Sequence, residues 1–373
     1  MIFEPPEERA ALVESAQRFV AERYPPETHL ARIESAQSHD PERWRDIAEM
    51  GWLTTDLPTT CGGLGLGFSL LGALAESLAP ALLQEPFLTQ SAIAGFILGE
   101  AGSSSQRLLD DSLGGSAVVA LAHHETREER YYSTSVASEF VEEGDSIVLQ
   151  ATKAVVLDGA GAGYFLVSAR DTRPPHALGV LAVPGSCREL VTRCYQMFDG
   201  RHLCDLEIRA ARLPATSKLA LRRGAEDVLD DALERYALLV AADSLGIMRT
   251  LVALSARHLD ERVQFGQKIG NFQALQHRLV DMQLRLVRAE SLVESAYMLA
   301  EAAAGNAAAA IAAARVGCED AGIFIAEHAV QLHGAMGMTN EFIVGHYLKR
   351  LTANRFVAGD RAEHFARFGA LRD

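Results

Sequence analysis

The sequence predicts an α+β fold in three zones: helices first, a small β-domain next, and a four-helix bundle last. Three observations predict it. Helical spacing fills residues 1 to about 115 and returns from about 219 onward. Between those stretches, short apolar or alternating runs are separated by turn-forming residues. The composition, 49% hydrophobic and 23% charged over 373 residues, is ordinary globular usage at a length that suits two or three domains.

The first zone, residues 1–115, opens with Val13, Phe19 and Val20 spaced for one helix, and residues 40–50 suggest a second. The run CGGLGLG (61–67) punctuates, and helical spacing resumes over 68–80, 87–101 and 105–113. That glycine run lacks the Gly-Lys-Ser/Thr end of a phosphate loop, and no βαβ pattern follows it, so it reads as a turn between helices. The second zone, 116–218, carries strand-like runs at 117–122, 134–140, 146–151, 154–157, 164–168, 178–183 and 203–208. Turn-formers such as Gly144-Asp145, Pro184-Gly185 and Asp199-Gly200 separate them, which predicts a small antiparallel barrel or sandwich. No long helix interrupts the zone, so a Rossmann fold is excluded. The third zone, 219–373, predicts long helices over 225–260, 271–302, 306–333 and 341–356, with Gly266, Gly270, Gly305 and 334–337 at the breaks and a short tail.

Charge and chemistry narrow the function. Thirty-five basic against 49 acidic residues give a net charge of −14, which argues against nucleic acid and anionic membrane surfaces as partners. Five cysteines without a CxxC or zinc spacing predict reduced thiols and a cytoplasmic setting. The N-terminus has no basic region followed by an apolar run, so no secretory signal is expected. The Ala-rich segment 297–316 is broken by Glu301, Asn306 and Arg315 and reads as a bundle helix, not a membrane span. No Glu-x-x-His pair exists for a di-iron site. Adjacent His123 and His124 on a strand would point to opposite faces, so no metal site is expected there.

Two stretches carry the strongest signal: ERVQFGQKIGNFQALQ (261–276), between the first two bundle helices, and QLHGAMGMTNEFIVGHYLKR (331–350), between the last two. In that order behind a β-domain, they resemble the acyl-CoA dehydrogenase family, whose three-domain order covers the whole chain. The resemblance implies boundaries at 1–115, 116–218 and 219–373. It implies a FAD-dependent enzyme that introduces an α,β double bond into an acyl-CoA thioester, with electron-transfer flavoprotein as acceptor. It implies FAD contacts from Arg262, Gln264, Phe265, Ile269, Phe272, Gln273, Gln331, Gly334 and Gly337. A guanidinium suits pyrophosphate because its donors form a rigid planar fork. His333, beside the cofactor loop, would either donate to phosphate or pack. Gln84, Glu85 and the 87–101 helix would border the acyl pocket.

The sequence also departs from the family. The flavin-facing stretch Thr-Glu-Pro-Gly-x-Gly-Ser-Asp is replaced by ALAHHETREER (120–130). A second flavin-facing strand, Lys-x-Trp-Ile-Thr in the family, reads KAVVL (153–157), which leaves Val155 and Leu157 where Trp and Thr cover and bond the ring. The two positions at which members place the catalytic Glu hold Ala358 and Tyr236, so no base is assigned. A methyl group cannot take a proton, and a phenol with a pKa near ~10 is a poor base at neutral pH. Asp243 is a weak substitute candidate, with Glu234 and Asp360 behind it.

Together these losses resemble the small subunit of heteromeric bacterial enzymes such as pimeloyl-CoA dehydrogenase and steroid side-chain acyl-CoA dehydrogenases. The implied assembly is a heterotetramer in which a larger subunit holds the flavin ring and the base. A self-sufficient homo-oligomer with a displaced base, and a non-catalytic interaction subunit, are the alternatives.

Overall fold

The computed structural model describes residues 7–35 and 37–371. They form two compact units. One comprises Met1–Glu34, Phe68–Leu83 and Ala237–Asp373, and the other Ser35–Gly67 and Gln84–Tyr236. The first strand opens at Val119, and the longest helix, α8, at Ala225.

The second unit holds the sheet and short helices. Helix α3 (Pro41–Glu49) starts where its sequence says it should: Asp40 accepts from the amides of Glu42 at 2.9 Å and Arg43 at 3.3 Å, with Pro41 in the first turn. It buries Trp44, Ile47 and Ala48. The run 61–67 is irregular, and Gly63 is required by packing, since a Cβ there would lie 2.0 Å from the Leu57 carbonyl oxygen. Short helical pieces follow: α5 (Phe87–Thr89), a π-turn over Gln90–Ala94, α6 (Gly95–Ala101) and α7 (Gln106–Leu113).

Seven strands make one curled sheet: β1 (Val119–Ala122), β2 (Glu139–Glu143), β3 (Ser146–Leu157), β4 (Tyr164–Asp171), β5 (Leu178–Pro184), β6 (Leu190–Gln196) and β7 (His202–Pro214). Its order is β1-β4-β2-β3-β7-β6, with β5 also paired to β4. The expectation of a purely antiparallel domain is corrected here, because β4 runs parallel to both β1 and β2. The runs at 146–151 and 154–157 are one strand bent by register shifts at Leu149/Ala151 and Lys153/Val156. β6 was not expected at all. Its side chains are all exposed or half-buried, so it shows no apolar alternation to read. The sheet's inner face buries Phe140, Ile147, Leu149, Phe165, Val167 and Leu206.

The expectation of five reduced thiols is corrected as well. Cys194 and Cys204 stand directly opposite in the β6–β7 register and form a disulfide, leaving Cys61, Cys187 and Cys318 free. Opposed residues project to the same face of the ladder, which no sequence spacing rule for zinc or CxxC would reveal. Unreduced, denatured protein is therefore expected to titrate three thiols with Ellman's reagent, and five after reduction. Five before reduction would show that the pair stays open.

The first unit is helical. It contains α1 (Glu7–Arg23), α2 (His29–Glu34), α4 (Phe68–Leu78), the greater part of α8 (Ala225–Glu261), α9 (Gln273–Glu301), α10 (Ala307–His333), α11 (Ile343–Asn354) and α12 (Arg361–Ala370). Helix α8 is apolar enough over 18 residues to span a bilayer by length and composition, yet 78% of that stretch is buried inside the protein. It crosses α4 in direct backbone contact: a Cβ on Gly246 would sit 2.0 Å from the Glu76 carbonyl oxygen and 2.7 Å from the Ala79 Cβ. Asp360 and Glu363 form a reciprocal capping box that starts α12.

Candidate functional site

The segment between α8 and α9 is a tight hairpin. Strands β8 (Val263–Gln264) and β9 (Gln267–Lys268) pair as Val263 with Lys268 and Gln264 with Gln267, leaving Phe265-Gly266 as a two-residue turn. Both turn residues have positive φ, 53° and 79°, which is the pattern of a type I′ turn. Gly266 adopts this freely, whereas a side chain such as Phe265 pays about 1–2 kcal/mol. The Phe265 ring is 89% exposed and meets Phe272 edge-on at 6.2 Å. An apolar ring held outward on a strained backbone does nothing for the core, and so it marks a contact surface. Arg262, Gln264 and Gln273 are exposed around it, while Ile269 and Phe272 are half-buried at its base. The neighbouring Asp260 carboxylate accepts from Lys268 Nζ at 2.7 Å, and the Arg262 guanidinium has no acidic partner among the described residues.

The end of α10 lies at the same end of this unit. The rings of His258 and His333 lie tilted against each other with centroids 4.5 Å apart, and the Arg262 amide donates to the His258 carbonyl at 2.9 Å. Burial holds both imidazoles below their ordinary pKa, and the charges of His333 and Arg262 press His258 down further. Neutral His333 donates its Nδ1–H to the Ala329 carbonyl at 2.8 Å and packs against Phe342. Gln331 is exposed in the last turn of α10, and Gly334 ends that helix at φ 62°. Gly337 is buried, and a Cβ there would meet the Val330 carbonyl oxygen at 2.9 Å. The arrangement thus collects one guanidinium, several amides and an aromatic ring, a donor set suited to phosphate and a flat heterocycle.

The candidate bases fall elsewhere. Ala358 is fully buried, and its carbonyl accepts from His364 Nε2 at 2.7 Å. Burial, followed by the charge of Arg315, pushes His364 down to about 3, so the ring stays neutral. Tyr236 is 2% exposed inside α8. Asp360 is exposed and occupied as the N-cap of α12, and Glu234 is half-buried. Asp243 is buried and accepts from Asn354 Nδ2 at 2.8 Å, which also donates to Ser244 Oγ at 3.1 Å. Arg315 donates to the Asn354 carbonyl at 2.7 Å, and Arg355 pairs with the buried Glu319 at 3.0 Å. Sequence reasoning singled out Asp243 and noted Arg315 interrupting an alanine-rich helix, but did not join them through Asn354 into one polar cluster.

Comparison with known proteins fits these features. The acyl-CoA dehydrogenase C-terminal domain model matches residues 222–367, and the N-terminal domain model matches residues 6–108. The chain belongs to the acyl-CoA dehydrogenase family. It is 26% identical over 351 residues to the acyl-CoA dehydrogenase IpdE2 of Mycobacterium tuberculosis, covering 93% of this chain and 91% of that one. A steroid acyl-CoA dehydrogenase structure described as a Tcur3481-Tcur3483 variant superposes with TM-score 0.86 at 26% identity, over 98% of both chains. A chain of the ChsE4-ChsE5 complex from Mycobacterium tuberculosis superposes with TM-score 0.87 at 23% identity, over 99% of this chain and 98% of that one, and attests the fold.

The stretches 120–130 and 153–157 are held by polar contacts of their own. Val155 takes φ 57° at the β3 bulge, a conformation that β-branched residues rarely adopt, and its amide donates to Asp205 Oδ1 at 3.1 Å. Beside it, Lys153 is wholly buried. Its ammonium donates to the His123 carbonyl at 2.9 Å, Glu125 Oε1 at 3.0 Å and Ser168 Oγ at 3.2 Å. All three of its donors are satisfied. Glu125 also accepts from the amides of Ala137 and Ser138, which ties down the loop from 123 to 138. Burial alone would raise the Glu125 pKa, but these hydrogen bonds and Lys153 bring it down to about 2. His123 bonds Ser168 and the Ser133 carbonyl, while His124 bonds the Tyr131 carbonyl, so both are framework residues. Burial drives His123 down to about 4. Among the described residues, no group of three or more His, Cys, Asp or Glu side chains is placed to hold a metal.

Proposed function

We propose that this chain is one subunit of a heteromeric FAD-dependent acyl-CoA dehydrogenase, and that it completes the adenosine-diphosphate end of a FAD whose flavin ring rests on a larger partner. One observation carries the reading. The hairpin presents Arg262 and Phe265 outward at a conformational cost, while the flavin-facing positions hold Val155 and Leu157, which offer neither a ring nor a hydroxyl. The residues present fit the nucleotide end of the cofactor and lack the groups for its isoalloxazine end.

FAD would supply the hydride acceptor for the desaturation of an acyl-CoA thioester. This chain's residues would bind and orient. Arg262 would grip the pyrophosphate through its fork of donors, with Gln264, Gln273 and Gln331 as neutral hydrogen-bonding groups beside it. Phe265 would cover a flat face of the nucleotide, with Phe272 and Ile269 supporting it from below. Gly334 and Gly337 would shape the loop that follows α10. No group at 358 or 236 can take the substrate's α-proton, so the partner would provide the base. Electron-transfer flavoprotein in the cytoplasm is the acceptor carried over from the family.

The homomeric reading needs a displaced base, and Asp243 was its candidate. Its bond to Asn354 Nδ2 and its burial within the Arg315–Asn354 cluster fit a structural role better. The visible absorbance of the purified protein tests the choice. The chain expressed alone is expected to carry close to zero FAD per polypeptide, and co-expression with a larger homologous chain is expected to restore flavin to the pair. One tightly held FAD per chain in the protein expressed alone would reject the shared-site reading and favour the homomer.

A further inference from the structure

We propose that the Cys194–Cys204 disulfide is a reversible redox latch: a dithiol reductant of the thioredoxin class opens it, and opening loosens the edge strand β6 and the loop from 123 to 138. The inference uses residues of the second unit alone and does not draw on the cofactor reading.

The two sulfurs are unequally placed. β6 ends the strand order and pairs only with β7. Cys194 lies within that edge strand and is exposed, whereas Cys204 has no exposed surface. Cys204 stands at the β3 bulge in register with Val156, and a Cβ on Gly159 would meet the Cys204 Cβ at 3.1 Å. An incoming thiolate therefore reaches the Cys194 sulfur and not the other, and exchange follows access. Its attack forms a mixed disulfide at Cys194 and expels the Cys204 thiolate, which takes up a proton. The second thiol of the reductant then attacks the reductant's own sulfur in the mixed disulfide and releases Cys194 as a thiol. Two electrons and two protons pass to the protein, and the reductant departs as its disulfide.

What the bridge holds follows from its neighbours. β6 contributes only the half-buried Leu190 to the apolar core of the sheet, so beyond the ladder the disulfide is its main attachment. A strand that buries so little opens at low cost. Tyr195 and Asp205 each adjoin a bridged cysteine. Asp205 Oδ1 accepts from the Tyr195 hydroxyl and from the Val155 amide, both at 3.1 Å, and Oδ2 accepts from Arg127 at 2.8 Å. The Arg127 guanidinium also lies over the Tyr195 ring at 5.1 Å. One carboxylate thus joins β6, the β3 bulge and the 123–138 loop. When Tyr195 moves away with β6, Arg127 loses the ring beneath it, and the loop loses one of its anchors.

The test uses the full chain without denaturant. Thioredoxin with its reductase and NADPH is expected to raise the thiol count, read by alkylation after acid quench, from three to five, and oxidised glutathione to return it to three. Hydrogen exchange read by mass spectrometry is expected to run roughly tenfold faster over 190–196 and 123–138 in the reduced protein, with α9 unchanged. Cys194→Ser, at the exposed half, is expected to show the fast pattern whatever the reductant. Tyr195→Phe in the oxidised protein is expected to speed exchange over 123–138 while 190–196 stays slow. A disulfide that yields to thioredoxin only after unfolding overturns the proposal, since the bridge would then be a fixed staple. Identical exchange in the two redox forms overturns it too, as do five thiols that oxidised glutathione never converts to three. No flavin is read, so failure here leaves the shared-cofactor reading standing, and the reverse also holds.

Discussion

Arg262→Ala, placed in the proposed complex with a larger homologous chain, is expected to weaken FAD binding by about 10- to 100-fold. That is the range for losing a charge-assisted, two-pronged contact to phosphate, roughly 1.5–3 kcal/mol. The guanidinium is exposed and has no acidic partner among the described residues, so its removal leaves the fold intact and the melting temperature of the chain alone should not move. Fluorescence titration of the deflavinated complex measures the effect. Arg209→Ala is the control, since that exposed side chain is engaged with Glu207 on β7 and is expected to change nothing. An unchanged FAD affinity in Arg262→Ala would remove the hairpin from the cofactor site. Phe265→Asn adds a second sign to read. Asparagine tolerates the left-handed backbone better than phenylalanine, so the isolated chain should hold or gain stability while the complex loses FAD affinity. A change of equal sign in both would mean the ring works for the fold and not for a ligand.

The largest expected effect on stability is at the α4–α8 crossing. Gly246→Ala is expected to cost about 3 kcal/mol, the upper part of the range for overpacking a filled contact. The new methyl would meet the Glu76 carbonyl oxygen, and a helix backbone cannot rotate away as a side chain can. Urea unfolding followed by circular dichroism measures it. Gly369→Ala in α12 is the matched control, because nothing lies within 4 Å of its added Cβ. There alanine's better helix propensity should leave stability unchanged or raise it by up to about 1 kcal/mol. Equal effects at the two sites would show that α4 and α8 can separate freely.

The long helices were legible because their apolar residues recur at helical spacing over long uninterrupted stretches, and because Gly266, Gly270, Gly305 and Gly334 fall near their ends. The hairpin between α8 and α9 was legible as a motif, but its geometry was not. Nothing in the letters QFGQ says that the phenylalanine, and not only the glycine, takes positive φ. The capping role of Asp360 follows a local rule, yet it was read as a candidate base because a carboxylate near a familiar position draws attention away from its amide partners. The buried cluster of Asp243, Asn354 and Arg315 could not be read, since its members are separated by 111 and 39 residues along the chain. The parallel pairing of β4 escaped for the same reason. Strand direction is set by which distant partner lies alongside, and alternation within a strand is blind to it.

The burial of Ala358 bears on how such a chain could change over generations. Its side chain has no exposed surface, and its own carbonyl anchors His364, whose neutral ring is enclosed beside it. A glutamate at 358 would need room for several further atoms and solvation for a charge, and the surroundings supply neither. A carboxylate at 358 therefore cannot be introduced by one codon change alone. At least one neighbouring side chain would have to yield first, and until it did the intermediate would be both inactive and less stable.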